Sequence, residues 1–135
     1  MKDLANHDSR IRFLEHNIPF NFSKLINFGI ANSNSEYIVS LNSDIEIISW
    51  NWLNAFLQHA QRDEVAVVGG KLFYPNNTIQ HAGIIVGINN YAGHSHKGRR
   101  SADDGYYNRA SLIQNVSAVT GAFMICRRTV FEELE

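Results

Sequence analysis

Cysteine, proline and net charge are all scarce in this sequence. It holds one cysteine and two prolines, and its 12 Lys and Arg residues against 13 Asp and Glu residues give a formal net charge of −1. Without a broad basic field, the chain is a poor candidate for binding nucleic acid or an anionic membrane. Cys126 has no second cysteine with which to form an internal disulfide, and its apolar surroundings favour a small core residue in a reducing compartment.

Long apolar runs are also missing. The longest runs, such as residues 82–88, fall far short of the roughly 20 residues of a membrane-spanning helix. Residues 1–4 lack the apolar core of a signal peptide. We expect a soluble cytoplasmic chain, or one that lies at the inner face of the membrane as part of a longer protein.

The chain is long and apolar enough to form one core. Its 135 residues are 44% hydrophobic and 11% aromatic, which excludes disorder as the main state. No repeat, low-complexity tract or Pro/Gly linker interrupts the sequence. Residues 1–135 are therefore expected to belong to a single domain.

Strand and helix patterns alternate over the first 70 residues, which predicts an α/β fold with a parallel sheet. The strand predicted at residues 37–41 is apolar on both faces, as is typical of a strand buried inside a sheet. The predicted elements are a strand near residues 11–14, a helix capped by Asn21 or Ser23, the strand at 37–41, a helix capped by Ser49 and a strand at 65–69.

The pattern changes after Lys71. Two antiparallel strands are predicted around the turn at residues 75–77. The stretch at 89–108, rich in Gly, Asn, His and charge, is interpreted as a long mobile connection of the kind that often carries function. A strand at 116–126, broken at Thr120-Gly121, and a helix capped by Thr129 complete the prediction.

Asp44 is the most informative single residue. It directly follows the predicted strand at 37–41, and open α/β sheets bind their ligands at the carboxyl ends of strands. A carboxylate in this position can share Mg²⁺ or Mn²⁺ with the phosphates of a nucleotide. The alternative is that Asn42-Ser43-Asp44 forms only an Asx-type turn between a strand and a helix.

Further segments on both sides of Asp44 extend this pattern. They are Phe20-Asn21-Phe22-Ser23, Asn27-Phe28-Gly29, residues 36–44, Trp52-Leu53, residues 67–72, residues 79–83, residues 93–98 and residues 119–122. Together they resemble the central part of family 2 glycosyltransferases, nucleotide-sugar-dependent enzymes of the GT-A fold. The similarity is greatest to the bacterial branch that adds sugars such as rhamnose to surface polysaccharides.

The resemblance covers nearly the whole chain and implies a GT-A-like mixed sheet flanked by helices. Residues 2–8 would be the end of the helix in the family's first strand-helix-strand unit, and the family's catalytic base would follow Glu135. We therefore expect one partial glycosyltransferase domain, cut at both ends, which binds its donor weakly and turns over poorly alone. Self-association through an uncovered sheet edge is also expected.

The resemblance implies a donor site. Asn42-Ser43-Asp44 stands where the family has its D-x-D motif, so Asp44 would bind the metal and Asn42 would face the ribose or a phosphate. Because Asn42 adds no charge, metal affinity should depend on Asp44 and on the diphosphate of the donor. Asn27 and Gly29 would lie under the nucleotide. Alternatively, they are a polar surface residue and a helix-packing contact.

Thr120 and Gly121 are the remaining donor-side residues. A glycine that breaks an apolar strand can bring the backbone close to a ligand, and in the family this segment lies near the transferred sugar. A simple bulge is the alternative.

Three histidines and one lysine are candidates for the acceptor side. His81 belongs to a Gln-His-Ala-Gly segment that resembles one in the family. His94 and His96 could form a metal pair if both lay on one strand, but no third ligand has an obvious spacing. A Gly-flanked loop containing Lys97 is better suited to an anionic or sugar acceptor. A solvated loop without a ligand is the alternative.

The implied reaction is an inverting transfer from a nucleotide sugar to a saccharide or a lipid-linked saccharide. Mg²⁺ or Mn²⁺ would offset the charge on the leaving diphosphate, and a carboxylate would take the proton of the acceptor hydroxyl. That base is expected beyond Glu135, because Glu132, Glu133 and Glu135 fit the exposed face of a terminal helix better.

Two other functions are compatible with this sequence. One is a non-catalytic carbohydrate-binding or assembly module with a GT-A-like shape. The other is a nucleotidyltransferase, which would share the use of nucleotide and metal but transfer the nucleotidyl group. The role of Asp44 distinguishes the first from a glycosyltransferase, and the mass of the product distinguishes the second.

Overall fold

The structure is a computed structural model that describes residues 2–88 and 90–133. The chain divides into two units, Met1–Ser35 and Glu36–Glu135. In the first unit the helices are α1 (Lys2–His7) and α2 (Phe22–Ala31). In the second unit the elements are β1 (Tyr37–Leu41), α3 (Trp52–Ala60), β2 (Val67–Gly69), β3 (Leu72–Phe73), β4 (Ile79–His81), β5 (Ile84–Val86), β6 (Ala92–His94), a 3₁₀ turn (Tyr106–Asn108), β7 (Phe123–Arg127) and α4 (Arg128–Glu132).

Helix α2 confirms the helix and one of the two caps predicted from the sequence. The side chain of Asn21 accepts a hydrogen bond from the N–H of Lys24 at 3.0 Å, which satisfies one of the free donors at the helix start. The ring of His16 stacks on Phe28, with centroids 4.1 Å apart. The strand predicted near residues 11–14 is wrong. The described residues 11–14 belong to no strand; instead, the N–H of Ile11 donates to the carbonyl of Asp8 at 2.9 Å and the guanidinium of Arg12 to the carbonyl of Asn32 at 2.7 Å.

The main sheet of the second unit has the order β1-β7-β2, and both neighbouring pairs are antiparallel. The predicted α/β class is therefore confirmed, but the parallel strands that the pattern of the first 70 residues predicted are not direct neighbours. Strands β1 and β2 do run in the same direction, as a strand-helix-strand crossover requires. The last strand of the chain, β7, lies between them and runs in the opposite direction. Strand β1 is also less buried than predicted, because only Ser40 in it is fully buried.

The core lies between the sheet and α3. Trp52, Phe56 and Phe123 form an aromatic cluster in which the rings of Phe56 and Phe123 are 4.7 Å apart. The buried residues of this core are Phe56, Ala60, Leu72, Phe123 and Ile125. Burying such side chains is the main favourable contribution to folding.

Both ends of α3 differ in detail from the sequence pattern. Its first residue is Trp52, whose N–H donates to the carbonyl of Ser49, so Ser49 does not cap the helix with its side chain. At the other end, Arg127 of β7 donates to the carbonyls of Ala60 and Arg62 at 2.9 and 2.7 Å. A guanidinium suits this position because the carbonyls at a helix end are unpaired and carry partial negative charge.

The predicted hairpin is present as β3 and β4, with an irregular register between Leu72 and Phe73. The stretch at 89–108 was interpreted as a connection, yet it contains β6, which pairs with β5. The N–H of Ile79 also donates to the carbonyl of Arg99 at 2.7 Å, and that of Gly98 to the carbonyl of Ile79 at 2.8 Å. These bonds fold the segment onto the hairpin. Asn89 lies outside the described residues.

The predicted strand at 116–126 is present only in its second part, as β7, and residues 116–119 contribute an isolated bridge between Ala118 and Ile84. Helix α4 begins at Arg128, before the predicted cap at Thr129. Cys126 is a free, buried cysteine, as predicted, and burial raises the pKa of its thiol. Within the described residues, no helix is long and apolar enough to cross a membrane.

Candidate functional site

Asp44 lies in an exposed turn at the carboxyl end of β1. The N–H of Ile45 donates to the carbonyl of Asn42 at 3.2 Å, so a backbone bond, and not the Asn42 side chain, closes this turn. Asp44 is exposed, and its carboxylate has no hydrogen bond or ion pair with any residue that the structure describes. Both carboxylate oxygens are therefore open to a ligand from solution.

The Thr120–Ala122 segment lies directly beside this turn. The hydroxyl of Ser40 donates to the carbonyl of Gly121 at 2.7 Å, and the N–H of Asn42 donates to the carbonyl of Ala122 at 2.9 Å. Three of the predicted donor-side residues, Asn42, Thr120 and Gly121, are thus brought together at one end of the sheet. One of the two connecting bonds comes from the buried Ser40, for which no role was predicted from the sequence.

Two glycines let this segment pack closely against the end of β2. A Cβ atom built on Gly69 would lie 2.5 Å from the Cβ of Val119, and one on Gly70 would lie 2.3 Å from a ring carbon of Phe123. Both distances are far below van der Waals contact, so only glycine fits. The sequence showed this pair as part of a matching segment, and a Gly-Gly directly after an apolar strand was the available signal for close backbone packing.

His81 connects the hairpin to the same segment. It is 2% exposed, and its Nε2 lies 3.3 Å from the N of Gly83 and 3.4 Å from the N of Thr120. Its Nδ1 lies 2.8 Å from the Nδ1 of His94. Burial, with repulsion from His94 as a smaller cause, lowers the pKa of His81 from 6.5 to about 4. The His81 imidazole is therefore neutral at pH 7.

His96 and Lys97 lie in the turn that follows β6 and not on the strand that contains His94. Strand β6 ends at His94, and His96 follows in a turn with φ of 58°. The ring of His96 contacts the Ser95 hydroxyl and lies against Gly105, where a Cβ would come within 2.7 Å of Nε2. The two histidines therefore do not lie on one strand as a metal pair requires. Lys97 is exposed in the same turn.

The second unit has a cleft of about 1110 Å³ that is lined in part by β2. Its walls come from α3, from β2 and from residues 109–119, and His81 also lines it. Lys71, Arg62 and Arg109 give it more positive than negative charge, since Glu64 is the one acidic residue in its lining. This volume is slightly above the roughly 300–1,000 Å³ of typical small-molecule sites.

Asn27 and Gly29 both lie on exposed positions of α2 in the first unit. A Cβ built on Gly29 would meet no neighbouring atom of the described chain within 4 Å. The alternative interpretation of Gly29, a helix-packing contact, is therefore not supported among the described residues.

Glu132, Glu133 and Glu135 were predicted to lie on the exposed face of a terminal helix. Glu132 lies 3.8 Å from Arg128 as an i,i+4 ion pair in α4, and Glu133 is exposed just after the helix. Glu135 lies outside the described residues.

The sequence model of Glycosyl transferase family 2 matches residues 1–135. The chain belongs to this family. It is 42% identical over 129 residues to the uncharacterized protein y4gI of Sinorhizobium fredii, and 37% identical over 131 residues to the O-antigen biosynthesis protein RfbC of Myxococcus xanthus. These alignments cover 96% and 94% of this chain but only 14% and 10% of the relatives. No solved structure matches the chain.

Family 2 membership raises the question of whether Mg²⁺ or Mn²⁺ fits these residues. No group of three or more His, Cys, Asp or Glu side chains that could hold a metal is found in the described part of the chain. Asp44 offers a free carboxylate, and Asn42 offers an amide oxygen two residues before it. Such hard cations are commonly bound by one or two carboxylates together with substrate phosphates. The residues therefore fit a cation that arrives with a diphosphate, and do not form a complete metal site without it.

Proposed function

We propose that this chain is the donor-binding part of a glycosyltransferase that builds cell-surface polysaccharide. The donor is a nucleotide sugar, the acceptor is a saccharide or a lipid-linked saccharide, and the transfer inverts the anomeric centre. The family assignment and the O-antigen biosynthesis relative support the reaction class and the pathway class. The cytoplasmic side of the membrane is the matching location, since nucleotide sugars are made in the cytoplasm.

The observation that carries the proposal is the free Asp44 carboxylate beside the Thr120–Ala122 segment. Asp44 and the diphosphate would together hold Mg²⁺ or Mn²⁺, which when bound offsets negative charge on the leaving group. Asn42 would donate a hydrogen bond to a phosphate or ribose oxygen. Thr120 and Gly121 would lie against the sugar. Asn27 and Gly29, on α2 of the first unit, stay donor contacts predicted from the sequence.

The acceptor would approach from the side of His81 and the cleft. His94, which contacts His81, and Lys97 are exposed and would supply donors for sugar hydroxyls or for an anionic group. His96 supports the same turn. The acceptor hydroxyl attacks the anomeric carbon as the bond to the diphosphate breaks, and its proton passes to a carboxylate base.

A paramagnetic NMR experiment tests the donor site even if binding is weak. Mn²⁺ added with UDP, GDP or dTDP should broaden the amide signals of residues 42–45 and 120–122. Asp44→Asn removes one charge without changing the shape, so it should abolish this broadening. Asp63→Asn is the matched control, because Asp63 is also exposed but lies after α3, and it should behave like the unmodified chain.

Two results would contradict the proposal. One is broadening that persists in Asp44→Asn, and the other is broadening centred on a different group of amides. In the protein that contains this chain, Asp44→Ala should also remove sugar transfer. Intact transfer would favour the non-catalytic module instead, and a product larger by a nucleotidyl group would favour a nucleotidyltransferase.

A further inference from the structure

The imidazoles of His81 and His94 form a hydrogen-bonded pair on the proposed acceptor side. Their Nδ1 atoms are 2.8 Å apart, and the ring planes are inclined at 82°. The other nitrogen of His81, Nε2, faces the backbone N–H groups of Gly83 and Thr120. His81 is buried, while His94 is exposed at the end of β6. One buried ring therefore contacts three groups from three different segments.

These contacts determine where the proton of His81 lies. A backbone N–H can only donate, so Nε2 of His81 must present its lone pair to Gly83 and Thr120. A neutral imidazole carries one proton, which is therefore on Nδ1 of His81. That N–H donates to the Nδ1 of His94, which must accept it. The proton of His94 then lies on its own Nε2.

We propose that His81 is a positioning residue that acts on two groups at once. It holds the backbone of Thr120 through Nε2, and through Nδ1 it holds His94 in the tautomer that carries its proton on Nε2. Because His94 is exposed, this N–H is a hydrogen-bond donor at the protein surface. The partner we assign to it is a hydroxyl or ring oxygen of the acceptor saccharide, and this assignment rests on the proposed function.

The same arrangement excludes His94 as the general base. Its Nε2 already carries a proton, and its Nδ1 is occupied by the bond from His81. For His94 to gain a second proton on Nδ1, His81 would have to accept there and move its own proton to Nε2. Nε2 would then face the N–H groups of Gly83 and Thr120 with a proton of its own. His94 is therefore assigned to binding and not to proton removal.

Nitrogen-15 NMR of the histidine-labelled chain at pH 7.5 tests this directly. Long-range proton–nitrogen correlations distinguish a protonated ring nitrogen from an unprotonated one. We expect His81 to carry its proton on Nδ1 and His94 to carry its proton on Nε2. A proton on the Nε2 of His81, or an imidazolium at either residue, would overturn the proposal.

Two variants separate the two actions of His81. In His81→Asn the side-chain amide can still donate from near the position of Nδ1, so His94 should keep its tautomer while exchange of the Thr120 amide accelerates at least tenfold. In His81→Gln the side-chain carbonyl can still accept near the position of Nε2, so the Thr120 amide should stay protected while His94 populates both tautomers. His7→Gln, an exposed position in α1, should change neither. If both variants change both measurements, or neither does, His81 has no separable positioning role.

A titration tests the assigned partner. A methyl glycoside, used as a probe for the acceptor, should shift the Nε2 signal of His94 and leave that of His7 in place. An unchanged His94 signal at saturating probe would overturn the assignment of a saccharide partner. None of these measurements requires sugar transfer or nucleotide. Paramagnetic broadening that does not depend on Asp44 would therefore count against the proposed function without affecting the result for the histidine pair.

Discussion

The hydroxyl of Ser40 donates a hydrogen bond to the carbonyl of Gly121, 81 positions further along the chain, at 2.7 Å. Ser40 is buried in β1, two residues before Asn42, and Gly121 lies two residues before β7. The bond therefore links the turn that carries Asp44 to the segment proposed to lie against the sugar. It is a structural bond with a direct effect on the geometry of the site.

Ser40→Ala should destabilise the second unit by about 1–3 kcal/mol, because it leaves the Gly121 carbonyl without its donor. Unfolding in urea measures this as a lower midpoint with an unchanged slope. Ser43→Ala is the control, since Ser43 is exposed in the neighbouring turn and should change stability by less than about 0.5 kcal/mol. Equal effects of the two substitutions would show that the Ser40 bond contributes nothing specific.

Gly70→Ala and Gly29→Ala should have opposite effects on stability. At Gly70 the added methyl group would collide with Phe123, and overpacking of this kind typically costs about 1–3 kcal/mol. At Gly29 the methyl group meets no neighbouring atom of the described chain, and alanine is favoured over glycine in a helix by about 0.5–1 kcal/mol. Thermal unfolding of both variants compares them directly.

Nucleotide binding by the Gly29 variant gives separate information. If Gly29→Ala is folded and stable but loses the Mn²⁺-dependent contact with UDP, GDP or dTDP, the glycine is needed for close approach of the nucleotide. Undiminished binding would remove Gly29 from the donor site. The stability result and the binding result are independent, because the first concerns only the helix.

The stability of the chain should fall on acidification below about pH 6.5, in part because of His81. Its pKa is lowered from 6.5 to about 4 by burial and by His94, so between these values the unfolded chain binds the proton more readily than the folded chain. The contribution of His81 is therefore present above pH 6.5 and is lost as the pH falls towards 4, by about 3 kcal/mol in total.

Urea unfolding at a series of pH values, in the unmodified chain and in His81→Gln, isolates this contribution. The variant should show a smaller loss of stability between pH 6.5 and 4, since Gln does not titrate. His7→Gln should retain the full pH dependence. Identical pH profiles for all three proteins would contradict the neutral, buried state of His81.

We also propose that the chain associates with a second copy through a sheet edge. Strands β1 and β2 each pair only with β7 among the described residues, so each has one edge that could pair with another chain. Light scattering should show a mass that rises with concentration. Val67→Lys places a charge on the exposed part of β2 and should reduce this rise, whereas Ile48→Lys, at an exposed site outside any strand, should reduce it less. A strict monomer at high concentration would exclude the association.

Local signals in the sequence predicted the elements that depend on local interactions. Helix α2 carries both its apolar spacing and its Asn21 cap within a dozen residues, and the β3–β4 hairpin surrounds a turn rich in Pro and Asn. Strand pairing is not local, which is why the strand predicted at 11–14 is absent. For the same reason, no pattern in the sequence indicated that β7 lies between β1 and β2.

The candidate site also combines local features, which are visible in the sequence, with non-local features, which are not. The position of Asp44 after an apolar strand is visible in the sequence, because it needs only the strand and the turn that follows. The bond between Ser40 and Gly121 and the pairing of His81 with His94 are not visible, because both depend on chain segments that meet only in the fold. A buried serine in an apolar strand and a Gly-Gly pair are weak signals until their neighbours are known.

The central position of β7 has a consequence for biosynthesis. Strands β1 and β2 precede β7 in the chain, so neither can pair with β7 until residues 123–127 have been made. Until then, the strand edges that β7 covers in the described fold are unpaired, and unpaired strand edges are where aggregation competes with folding. Folding of this sheet during synthesis is therefore expected to be completed late.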